Sequence, residues 1–215
     1  MNYLKLFENF KTIDDLLSDI DLCANKYGVK IIYDDESTIP YPHTGYPVSG
    51  YFVDYGDPTL AVAKGKPYKE WVMILVHESS HMDQWIEKSK YWSNNFINGK
   101  ESVEYIDDWV SGSEYSKDDI DNFVKRSIDV ELDCEKRTID KLKKYNIDIN
   151  IAEETQKANS YILFYNIVKE FRKWNEVGKA PYQIKEVWSK MSIKFDMNYS
   201  SVDSDIKNLY LKHCF

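Results

Sequence analysis

The stretch WVMILVHESSHMDQW, residues 71–85, constrains this chain more than any other. Six apolar residues in a row, Trp71 to Val76, leave a helix no solvent-facing side, so the segment has to be buried. Yet it goes on to carry His77, Glu78 and His81. Burying two imidazoles and a carboxylate without partners is costly, so the fold must supply those partners. Histidines at i and i+4 project from one helix face a single turn apart, which brings two ring nitrogens within reach of one ion. A catalytic Zn2+ takes three protein ligands and leaves a fourth position for water. Glu78 points about 100° around the helix from His77, where it can meet that water instead of the metal. This is the HExxH arrangement, with glutamate as general base.

A zinc hydrolase of this kind needs a third ligand. The segment after His81, MDQWIEKSK, lacks the further histidine of an HExxHxxGxxH motif, so the ligand comes from elsewhere. His43 lies in a proline-rich loop and His213 near the C-terminus, and neither has a positional argument. A long helix expected from Ser116, which has capping-box spacing to Asp119, to about Tyr145 offers a better one. Its apolar stripe contains Ile120, Val124, Ile128, Ile139 and Leu142. At about 100° per residue Glu131 falls near the centre of that stripe and Glu135 ~40° away, while Asp129 and Asp133 fall on the solvent side. An acid within a buried stripe should be paired or metal-bound. Glu131 is therefore the expected third ligand. Glu135 is expected as a carboxylate that orients a ligating histidine through its other ring nitrogen, with direct ligation by Glu135 as the alternative. Cys134 points about 60° off the Glu131 face and reads as packing. The run KLKK (141–144) reads as cations offsetting a helix C-terminus.

Around these two helices the chain alternates in character. Thr12 and Asp15 open a helix over 12–27 that Gly28 stops. VKIIYDD (29–35), YFVDY (51–55) and TLAVAKG (59–65) read as strands, with a loop over 36–50 that holds three prolines and two glycines. The metal helix is expected over 68–90. Residues 91–116 have no clean period and read as a functional loop or small subdomain; Trp92, Phe96 and Trp109 within it would line a cleft or plug the loop. Helices follow from Asn150 to about Trp174 and near 183–191 and 201–212. The order of elements predicts an α+β fold: a small N-terminal antiparallel or mixed sheet over about 1–66, then a predominantly helical C-terminal half, all in one domain over 1–215.

Composition excludes some functions. A net charge of −8 argues against a broad nucleic-acid surface. No apolar stretch approaches ~18 residues, so no membrane span is expected. The start, MNYLKLFENFKTIDD, has acids where a signal peptide needs an apolar run, which points to the cytoplasm. Three cysteines without CxxC spacing do not make a disulfide framework. The excess of Lys over Arg, with much Asn, Ile and Tyr, suggests an AT-rich genome such as that of a low-GC bacterium or a phage.

Taken together, HESSH (77–81) and ELDCE (131–135) resemble the paired motifs of gluzincin-type zinc metallopeptidases, over roughly residues 50–145. The second motif reads ExxxD in some branches of that family; here Glu135 stands in the Asp position. The whole is also similar to HExxH proteins of phage type. The resemblance implies a zincin-like fold and one Zn2+ held by His77, His81 and Glu131. It implies peptide-bond hydrolysis in which Glu78 takes the proton of the attacking water and passes it to the leaving amine. It further implies an oxyanion-stabilising donor, for which Tyr165, Tyr182 and His213 are candidates, and an edge strand at 59–65 that binds extended peptide by strand addition. The competing expectation is a non-catalytic scaffold or regulatory protein that keeps the zincin framework without turnover.

Overall fold

A computed structural model describes residues 12–42 and 44–215. His43 and residues 1–11, most of the N-terminal segment read above for a signal peptide, lie outside the described residues. The architecture is α+β, and the chain divides into two compact units. One comprises residues up to Asp83 together with Thr138–Ile149; the other comprises Gln84–Arg137 and Asn150–Phe215.

The first unit opens with α1 (Ile13–Tyr27). Thr12 caps it in a reciprocal box with Asp15, and Gly28, at φ 71°, ends it in the left-handed conformation that a side chain would disfavour. Five strands follow: β1 (Lys30–Asp34), β2 (Ile39–Pro40), β3 (Pro47–Val48), β4 (Gly50–Val53) and β5 (Thr59–Ala63). β2 and β3 form a two-residue antiparallel ladder inside the segment expected as loop. The main sheet has the order β1-β5-β4, with β1 parallel to β5 and β4 antiparallel to it. This corrects the expectation for residues 59–65. β5 is the central strand, its backbone is paired on both sides, and it has no edge to offer a peptide; among the described residues β4 is paired on its β5 side alone. The burial of β5 fits a central position, since Leu60 to Ala63 are all buried. Ala61 and Ala63 pack with Ile39 on one sheet face, joined by Ile32, Val48 and Tyr51.

α2 (Tyr68–Ile86) carries the HESSH motif. Of the apolar run, Val72, Leu75 and Val76 are buried while Trp71, Met73 and Ile74 are only half-buried, and Met82 beyond it is buried too. The two serines of HESSH are fully buried and both bond back to the carbonyl of Val76. Small side chains suit this position because the last turns of α5 (Lys117–Lys144) press against it. Thr138 Oγ1 donates to Ser80 Oγ at 3.2 Å, and Lys141 Nζ reaches Ser79 Oγ at 2.9 Å and Asp83 at 2.8 Å. Lys141 thus does more than offset a helix dipole: it ties α5 to α2.

In the second unit, residues 91–116 are more regular than expected. They form α3 (Lys90–Asn95), a tight hairpin of β6 (Phe96–Ile97) and β7 (Lys100–Glu101), and α4 (Ser102–Val110). Elements of two to nine residues are too short for periodicity to register. Trp92 is buried against Phe96, and Trp109 packs against the core beneath the Arg172 guanidinium, so these aromatics serve as packing. α5 begins with the Ser116–Asp119 box. α6 (Ile151–Phe171), capped by Asn150, is buried on all sides from Ala158 to Val168 and forms the centre of this core. Its Asn159 donates to the carbonyls of Ser192 and Lys194, and its Asn166 donates to that of Tyr199, which holds the irregular segment between α7 (Lys185–Trp188) and α8 (Ser204–His213).

Candidate metal centre

Helical geometry places His77, Ser80, His81 and Gln84 on one face of α2. The imidazoles of His77 and His81 stand edge to face, with ring centroids 4.9 Å apart. The contacts flanking them fix what this face meets. Ser80 touches Thr138, and Gln84, fully buried, donates through Nε2 to the Val130 carbonyl at 3.0 Å and to Asp133 Oδ2 at 2.8 Å. Residue numbers rise along α2 as they fall along α5, so the two helices run antiparallel here. Asp133, expected on the solvent side, is instead held by Gln84 and Arg137. An angular estimate from a stripe of aliphatic residues could not register a neighbouring helix that brings its own polar side chain.

Two imidazoles one turn apart on one helix face can offer two nitrogen ligands to a divalent ion. Cys134 is fully buried, which fits its reading as packing.

Glu131 is half-buried, and its Oε2 is shielded from solvent. It lies near two tyrosines of α6, Tyr161 and Tyr165, whose hydroxyls are 2.9 Å apart. Burial, and after it the negative charge of Glu131, push both phenols well above their ordinary range. Both remain protonated donors. Tyr182 is 44% exposed and sets its ring edge-on to Tyr161. Of the three candidate oxyanion donors, Tyr165 and Tyr182 thus belong to one cluster with Tyr161, a residue that sequence reasoning passed over. His213 sits half-buried in the last turn of α8. Glu135 contributes its charge to raising the Glu154 carboxyl, whose shift is caused mainly by burial.

Glu78 faces another way. It shares a side of α2 with Ile74, and that side meets β4: a side chain at Gly50 would run into Ile74 and come within 3.2 Å of Glu78 Cγ. The Glu78 stem therefore lies beside β4, which among the described residues pairs with β5 alone, on a different side of α2 from the Ser80–Thr138 contact. Family models, curated proteins and solved structures were all compared with the chain, and no match was found. No helix among the described residues is long and apolar enough to cross a membrane.

Proposed function

We propose that the protein is a zinc-dependent metallopeptidase of gluzincin type, acting on peptide bonds. The observation that carries this reading is the division of the HESSH motif: His77 and His81 together on the α5 side of α2, and Glu78 on the β4 side. Metal retention alone gives no reason for a glutamate whose stem packs on the β4 side of α2. His77 and His81 would hold the ion, with Glu131 as third ligand and Glu135 orienting an imidazole. When bound, zinc supplies Lewis acidity toward water and toward the scissile carbonyl.

The remaining roles belong to the chain itself. Glu78 accepts the proton of the attacking water and delivers it to the leaving amine. Tyr165 and Tyr182, with Tyr161 between them, offer hydroxyl donors to the developing oxyanion. An extended substrate pairs with β4 rather than with β5. The Ser49–Ala63 hydrogen bond sets the ladder so that Gly50 and Phe52 turn their backbone groups away from β5 and toward such a substrate.

The test is hydrolysis of a peptide library by zinc-loaded wild type and by Glu78→Gln. Turnover lost in Glu78→Gln with full zinc content supports the reading; equal turnover in both proteins refutes it. The alternative is a zincin-like scaffold that keeps the metal and has no turnover. Such a phage-type or cytoplasmic regulatory protein would hold zinc yet leave every peptide intact.

A further inference from the structure

Gly50 has a backbone conformation open to any residue, for it is not among the glycines with positive φ. What it lacks is space. A Cβ there would lie 2.5 Å from Ile74 Cγ2, 2.9 Å from the Ala61 carbonyl oxygen and 3.2 Å from Glu78 Cγ. The Ala61 oxygen belongs to the central strand, directly across the ladder from Tyr51, and cannot retreat without breaking the sheet. Relief must come from α2, through Ile74 and Glu78. These two residues are one turn apart and form the wall that β4 lies against.

We propose that Gly50 is a positioning residue for Glu78: the missing side chain lets β4 close onto α2, so that strand backbone confines the glutamate stem and fixes where its carboxylate points. The proposal rests on the reading of Glu78 as general base. Glutamate has three side-chain torsions, and a free stem would spread the carboxylate over several rotamers. A backbone wall at Cγ restricts the inner torsions and so narrows the directions open to the carboxylate. The histidines, about 60° and 100° around the helix from Glu78, are outside this contact. Gly50 therefore governs the base and leaves ion binding alone.

The experiment compares wild type, Gly50→Ala and Gly50→Ala/Ile74→Ala in zinc content, in kcat and KM per bound zinc, and in crystal structure. The double variant makes room for the methyl and keeps the comparison open if the single variant fails to fold. Gly50→Ala is expected to bind zinc fully, while kcat per bound zinc falls about 100-fold, the scale of a misplacement of about 1 Å. The double variant should recover part of that loss. Its crystal structure should show the Glu78 carboxylate back in place, and that of Gly50→Ala should show it displaced with both imidazoles unmoved. A Gly50→Ala protein with wild-type kcat and an unmoved Glu78 overturns the proposal and leaves the peptidase reading standing. A wild type without zinc or turnover overturns the peptidase reading instead, and the displacement of Glu78 in the crystals then decides the packing claim by itself.

Discussion

Gln84→Leu should destabilise the protein by about 3 kcal/mol. Gln84 is fully buried, and its amide makes two bonds to α5: a neutral one to the Val130 carbonyl and one to the Asp133 carboxylate. A neutral hydrogen bond contributes roughly 1 kcal/mol and one to a charged group about 1.5–3 kcal/mol. Leucine fills nearly the same volume, so little cavity cost is added. Asp133 keeps Arg137 at 2.8 Å and is not left as a lone buried charge. For a chain of this size 1 kcal/mol shifts Tm by roughly 2–4 °C, so the expected fall is about 6–12 °C. Thermal melting by circular dichroism, with urea unfolding to confirm an unchanged m-value, measures it. A variant that melts within about 2 °C of wild type would refute the reasoning, since it would mean that the end of α2 is not anchored through this amide.

Two further outcomes follow from buried groups. Tyr161 and Tyr165 hold their protons far more tightly when folded, by burial first and the Glu131 charge second. From about pH 10 upward the unfolded chain loses phenolic protons that the folded chain keeps, so stability present below that pH is lost as pH rises. Tyr161→Phe and Tyr165→Phe should each flatten the alkaline limb of the stability curve; an unaltered limb in both contradicts the assignment. Of the three thiols, Cys134 and Cys214 are fully buried, and burial pushes the Cys214 thiol up to about 11. A thiol reagent at neutral pH should therefore modify Cys23 first, which peptide mapping checks.

Local chemistry was legible in the sequence. The Thr12–Asp15 and Ser116–Asp119 boxes, the Gly28 stop and the Asn150 cap all depend on residues three or four apart, and each helix begins or ends where they said. The apolar run made a buried side of α2 legible but not its extent: Ser79 and Ser80 are fully buried, while His77, Glu78 and His81 are half-buried. Strand order was not. β5 pairs in parallel with β1, about thirty residues earlier, and nothing in TLAVAKG distinguishes a central from an edge strand. The same limit hid Lys141 and Asp133, whose partners lie on another helix. It also hid Gly50, whose meaning depends on Ile74 and Glu78 across the sheet face.

The central claim is that His77 and His81 hold a metal ion. Elemental analysis of the purified protein beside His77→Ala and His81→Ala tests it most directly. One zinc per wild-type chain, with none in either variant, is the predicted result. A wild-type protein without stoichiometric zinc, or variants that retain it, would contradict the account.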